Sequence, residues 1–253
     1  MDGQTICDVK IIMSTIAFLF QKYNIPIYTK INSYLQPPYF DKLSKKLALE
    51  LNLNKEIIFE KLSNIKWAVA ESQIECGYLS IVKNAFDSKN YSDVPSESLN
   101  IRLEFDHLYF IHHYFMAIEC LYRIWERLTK LLDYIIFGNI NSKRIYFVNI
   151  LKSIRDLKTL SSSKKFESLN KLNKIWNLIA NKRNNASHKS SNLAEDYILE
   201  IEPSLIYDMY ENPILKVKEI LPDINEKIDY IINTLKKSND AIKIVIEFIL
   251  SIK

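Results

Sequence analysis

Residues 181–190 read NKRNNASHKS, a polar interruption in a chain of which 48% is hydrophobic. Two side chains in this stretch suit phosphate chemistry. The Arg183 guanidinium is a planar fork of donors that matches two phosphate oxygens, and the His188 imidazole exchanges a proton near neutral pH. Together they are a minimal kit for cutting RNA through its own 2′-hydroxyl without a metal ion. On a straight α-helix their spacing sets them about 140° apart at ~100° per residue, so they would not share a face. The intervening NNAS offers side chains that compete for backbone hydrogen bonds. A helix that bends or ends here is expected, bringing both groups to one rim.

The elements that must carry these residues are helical. Apolar residues recur at helical spacing almost throughout, punctuated by proline and asparagine clusters. One helix is expected to end near Tyr23, and others to cover about 41–53, 55–85, 95–137, 143–160 and 165–189. LQPPYF, DSKNYSDVPSES and SSSKK serve as separators, and Gly138 is a natural end for the longest helix. After Pro203 the chain returns to acidic and apolar helix, with breaks expected at Pro213 and Pro222. The closing AIKIVIEFILSIK is read as helix because Ile244, Phe248 and Ile252 share a face with Ala241 and Val245. The fold class is all-α. Residues 1–90 form an N-terminal helical accessory region and residues 95–253 a helical bundle.

Composition narrows the function classes. Gly3, Gly77 and Gly138 are the only glycines, which excludes the glycine-rich phosphate loops of P-loop and Rossmann folds and argues against an all-β architecture. Cys7, Cys76 and Cys120 are widely spaced and fit a reducing compartment without a disulfide framework. The apolar run IIMSTIAFLF is too short to span a bilayer and lacks the flanks of a signal peptide, so a buried helix and a cytoplasmic protein with no membrane partner are expected.

Charge is unevenly distributed. Residues 141–194 hold twelve Lys or Arg against two acids, a balance of +10, whereas the rest of the chain holds 22 against 28, or −6. A segment so biased suits a polyanion partner, and its Lys174, Lys182 and Lys189 are candidate RNA contacts. Upstream, the stretch ECLYRIWERLTKLLDYIIFG carries a packing stripe of Ile118, Tyr122, Trp125, Leu128 or Thr129, Leu132 and Ile136. Beside it Glu119, Glu126 and Asp133 recur every seven residues. These acids are either a solvated face with pairs such as Glu119–Arg123 and Glu126–Lys130, or the source of one carboxylate that orients the basic motif. The sequence does not choose among the three.

The pattern Arg-Asn-x-x-x-His at the end of an amphipathic helix resembles the signature of the HEPN superfamily, helical-bundle proteins of bacterial toxin and phage-defence systems. YRIWERLTKLLDYIIFG is similar to the helix that precedes the motif in one bacterial branch of that superfamily. The resemblance covers roughly residues 95–250 and implies a HEPN-type bundle with an N-terminal helical extension. It further implies a homodimer in which two motifs face each other in one composite endoribonuclease site, with no cofactor and no metal. Carried over to this chain, Arg183 would bind and polarise phosphate, His188 would act as general acid or base, and Asn184 would orient the site. A toxin or phage-defence effector with a cognate antitoxin or regulatory protein is the setting the resemblance suggests.

Other constellations are weaker. Arg102 and His107 share the same spacing, but Leu, Glu and Phe follow that arginine, as suits a helix surface. Asp106, His107, His112 and His113 lack the i, i+4 histidine pair of a helical metal site. Cys120 reads as a buried small hydrophobe, and Trp67, Trp125 and Trp176 read as core. Tyr197, Tyr207, Tyr210 and Tyr230 read as packing residues, with stacking on bases as the sharper possibility. The rival to an enzyme is a non-catalytic HEPN-like module that binds RNA or protein through the basic segment, with Asn184, Asn185 and Ser187 merely ending a helix.

Overall fold

The computed structural model describes the backbone of residues 37–85, 96–140, 145–190 and 213–252, and within these the side chains other than those of 37–40, 84–85, 96–105, 107–108, 186–190 and 213–221. The described part is all-α, without a strand. In chain order its helices are α1 (Pro37–Leu51), α2 (Lys55–Ala85), α3 (Ser96–Phe137), α4 (Phe147–Asp156), α5 (Lys158–Ser161), α6 (Lys164–Lys171), α7 (Asn173–Ser190) and α8 (Pro213–Ile249). The expected helix ending at Tyr23, residues 87–95 of the DSKNYSDVPSES separator and the segment from Pro203 to 212 lie outside the described residues; the last three residues of that separator already belong to α3.

Several boundaries differ from the sequence expectation for local reasons. The LQPPYF separator is partly helical: α1 begins at Pro37, because proline in a first turn forfeits no intrahelical bond. The single helix expected over 143–160 starts only at Phe147 and is interrupted by Leu157, whose backbone is extended (φ −87°, ψ 93°). The one expected over 165–189 divides at Leu172. Its first part, α6, is capped by Ser163, whose Oγ accepts the Phe166 N–H at 3.0 Å. Pro222 does not break α8 but lies inside it, on the exposed side. Behind it Ile224, Ile228, Ile231, Leu235, Ser238, Ile242, Val245 and Ile249 form an unbroken buried stripe at alternating spacings of four and three. Burial of that stripe, at about 25 cal/mol per Å² of apolar surface, outweighs the roughly 3 kcal/mol that an interior proline costs.

The described residues belong to two compact units, one holding those of 37–72, 118–185 and 232–252, the other those of 73–117 and 186–231. The first unit centres on Trp125. Its indole is fully buried, donates through Nε1 to Ser238 Oγ at 3.1 Å, and meets the Phe147 ring edge-on at 5.1 Å. Trp176 closes the same aromatic cluster, 6.3 Å from Trp125 and 5.1 Å from Tyr122. The packing stripe read from the sequence is thus buried at Ile118, Trp125, Leu128, Thr129 and Leu132. Thr129 satisfies its hydroxyl on the Trp125 carbonyl at 2.7 Å.

Ends in this unit are fixed by specific devices. Asn54 caps α2 by accepting the Glu56 and Ile57 N–H groups at 2.8 and 3.2 Å, and the Tyr134 hydroxyl accepts the Asn54 N–H from across the unit. Gly138 ends α3 with φ +72°, the left-handed conformation that glycine adopts without a Cβ penalty, and its N–H bonds to the Tyr134 carbonyl. In the other unit Phe110, Tyr114, Leu79, Val82, Ile224 and Ile228 are buried. There His113 Nδ1 lies 2.7 Å from Glu75 Oε2 with its ring stacked on Tyr78. No described helix is long and apolar enough to cross a membrane.

Candidate functional site

Arg183 stands where the buried face of α7 turns polar. Leu172, Trp176 and Ile179 are buried at spacings of four and three, and Arg183 follows four residues later on the same side. A side chain in that register must meet whatever Trp176 and Ile179 pack against, which here is the polar flank of the α3 stripe. Arg183 donates from Nε to Glu119 Oε2 at 3.0 Å, and its Cζ lies 4.9 Å from the centroid of the Tyr122 ring. Tyr122 is backed in turn by Trp176, so the guanidinium rests on a packed aromatic pair.

The electrostatics follow from these contacts. The hydrogen bond to Glu119 raises Arg183 above its ordinary value, against a smaller opposing effect of burial. Burial raises the Tyr122 hydroxyl, while the Arg183 charge pulls the other way. The Tyr146 phenol is close enough to act on both groups. It is exposed at the start of α4, next to Phe147, whose ring packs on Trp176. Sequence reasoning assigned no site role to Tyr122 or Tyr146. The signal available was adjacency to the aromatic residues that seat α7.

Of the three acids spaced by seven, Glu119 is seen paired with Arg183 among the described residues. Glu126 pairs with Lys130 at 2.6 Å; burial pushes its carboxyl up, but that hydrogen bond and neighbouring cations hold it below the ordinary range. Asp133 is buried and accepts from Asn139 Nδ2 at 2.9 Å, at the far end of α3. Glu119 also faces Arg123, Oε1 to Nε at 4.0 Å, and Arg123 Nη1 donates to Glu71 Oε2 at 3.3 Å. A chain of alternating charge therefore runs Glu71–Arg123–Glu119–Arg183 from α2 over α3 to α7.

The remaining predicted residues are placed less fully. Lys174, Lys182 and Asn184 are exposed on α7. His188 and Lys189 belong to the last turns of that helix, and their side chains lie outside the described residues, as do those of Arg102 and His107. The helix runs on through Ser190, close to the limit of 189 expected for it, so the run NNAS does not end it. Trp67 corrects another expectation. It is 54% exposed, because α2 buries the side bearing Ile58, Leu62, Ile65 and Val69. His112 is exposed, His113 is buried, and Cys76 and Cys120 are buried thiols. Among the described residues no group of three His, Cys, Asp or Glu is arranged to hold a metal ion. Tyr230 is half-buried, and Tyr197, Tyr207 and Tyr210 lie outside the described residues.

Comparison of the chain with protein-family models, with curated proteins and with solved structures yields no match.

Proposed function

We propose that the chain is a metal-independent endoribonuclease of HEPN type, acting as a cytoplasmic homodimer whose two Arg183–His188 motifs build one composite site. The observation that carries this reading is the seating of Arg183: a guanidinium fixed by Glu119 and Tyr122 on a helix that continues to His188. Arg183 holds the scissile phosphate and stabilises the charge that develops on it. His188 takes the proton of the 2′-hydroxyl or delivers one to the leaving 5′-oxygen, and Asn184 orients the phosphate. The exposed Lys174 and Lys182, with Lys189, guide the RNA backbone. A toxin or phage-defence effector, restrained by an antitoxin or regulatory protein, is the setting that goes with this chemistry.

A second reading has an observation of its own. The Arg183–Glu119–Tyr122 contacts tie α7 to α3 as a purely structural ion pair would, which suits a non-catalytic module binding RNA or protein through the basic segment. The two readings separate on the ends of the product. Labelled single-stranded RNA incubated with the protein in EDTA is expected to yield 2′,3′-cyclic phosphate or 3′-phosphate ends, while DNA and 2′-O-methyl RNA of the same sequence survive. Binding of all three without cleavage of any would favour the module.

A further inference from the structure

We propose that Arg123 is a second phosphate-contacting residue of the Arg183 site, gripping the RNA backbone beside the phosphate that Arg183 holds; this rests on the endoribonuclease reading above. Glu119 stands between the two arginines, one carboxylate oxygen toward each: Oε2 takes Arg183 at 3.0 Å, and Oε1 lies 4.0 Å from Arg123 Nε. The Arg183–Glu119 pair by itself is neutral and offers an approaching phosphate no net attraction. With Arg123 and its partner Glu71 added the four side chains still sum to zero, and only when Arg123 exchanges Glu71 for a phosphate does the trio Arg183–Glu119–Arg123 present +1 to the RNA.

The two arginines are held differently. Arg183 is engaged through a well-formed hydrogen bond and a ring face. Arg123 is 4.0 Å from Glu119, beyond hydrogen-bond range, and among the described residues its one short contact is 3.3 Å to Glu71. That contact joins side chains 39% and 47% exposed, the kind of ion pair that contributes little because water screens it. A guanidinium–phosphate fork is stronger than such a pair, so Arg123 can exchange Glu71 for a phosphate at little cost. Arg183 anchors and Arg123 adapts. Glu71 is then a competitor for Arg123, and neutralising it releases the cation for RNA.

The test is equilibrium binding of a labelled 2′-O-methyl single-stranded RNA, which cannot be cleaved, to the full chain over a series of salt concentrations. Wild type is compared with Arg123→Ala, Arg123→Lys, Glu71→Gln and Arg183→Ala, each with its fold checked by circular dichroism. Arg123→Ala is expected to bind about tenfold more weakly, with a salt slope shallower by about 0.7, the loss of one phosphate contact on a single strand. Arg123→Lys keeps the charge and recovers the slope but not the full affinity, because it lacks the fork. Glu71→Gln binds more tightly than wild type, and the gain vanishes when it is combined with Arg123→Ala; a gain that persists in the double variant would reflect net charge alone and count against the release of Arg123. Loss of binding in Arg183→Ala, with Arg123→Ala and Glu71→Gln unchanged from wild type, would overturn the role of Arg123 and leave the reading of Arg183 standing. Wild type that neither binds this RNA nor cleaves its 2′-hydroxyl counterpart would overturn both.

Discussion

Glu119 and Arg183 are 64 residues apart in the chain and meet at 3.0 Å, carboxylate to guanidinium, on the edge of a buried aromatic cluster. Both side chains are about one-third exposed, so the pair adds little to stability. What it fixes is direction. A guanidinium bonded through Nε and lying over a tyrosine ring has its plane set before any phosphate arrives.

Glu119→Gln therefore separates positioning from stability. The thermal midpoint is expected to move little, corresponding to less than about 1 kcal/mol. RNA cleavage is expected to fall by between about tenfold and about hundredfold, mainly in kcat, because a loosened Arg183 no longer meets the phosphate in one orientation. Thermal melts run beside single-turnover cleavage measure the two effects separately.

Trp125 is the structural counterpart of that pair. Its truncation to Ala removes a fully buried indole at the centre of the unit and is expected to cost about 3–5 kcal/mol. Ser238→Ala leaves the indole N–H without its acceptor and is expected to cost about 1–3 kcal/mol. Urea unfolding of both variants checks the order.

Tyr114 predicts an alkaline weakness. Burial, reinforced by Tyr230, Asp223 and Glu226, pushes its hydroxyl from the ordinary 10.0 up to about 12, and among the described residues that buried oxygen has no hydrogen-bond partner. A raised pKa in the folded state favours the neutral phenol. The stabilisation is present in full below the ordinary value and is lost as pH climbs from 10.0 through about 12. Tyr114→Phe removes that part of the loss and, by deleting a buried unsatisfied hydroxyl, is expected to add about 1 kcal/mol at neutral pH. Thermal midpoints of wild type and variant, compared near neutrality and near pH 11, show both effects.

Pro222 interrupts the hydrogen-bond ladder of a helix whose buried stripe is otherwise continuous. Pro222→Ala is expected to stabilise the protein by about 1–3 kcal/mol, since the exposed position gains a helix former whose backbone N–H can rejoin the ladder. A lower unfolding midpoint in that variant would mean that the proline relieves a strain elsewhere in α8.

Long periodic segments were legible in the sequence because their apolar stripes outlast any local ambiguity. The start of α2 at 55 and the end of α3 before Gly138 follow from capping and left-handed chemistry written into single residues. The divisions at Leu157 and Leu172 were not legible, since both leucines continue an apolar pattern; Leu157 leaves the helix with an extended backbone, whereas Leu172 keeps right-handed helical angles. Pro222 misled for the opposite reason: a local rule was overridden by burial along the rest of the helix. The Glu119–Arg183 contact was half legible. Three acids at heptad spacing looked equivalent, and the register that selects Glu119 depends on how Trp176 and Tyr122 pack. The run from Trp176 to Ile179 to Arg183 points the arginine toward the packed face but does not by itself select the acid.

The central claim is that Arg183 and His188 cut RNA together, and cleavage of labelled RNA in EDTA by wild type, Arg183→Ala and His188→Ala tests it most directly. Each protein is first checked for fold by circular dichroism and for dimer mass by light scattering. Dimeric, folded variants that both lose at least about a hundredfold in rate are the predicted result. Cleavage that persists unchanged in both would place the chemistry elsewhere and contradict the assignment.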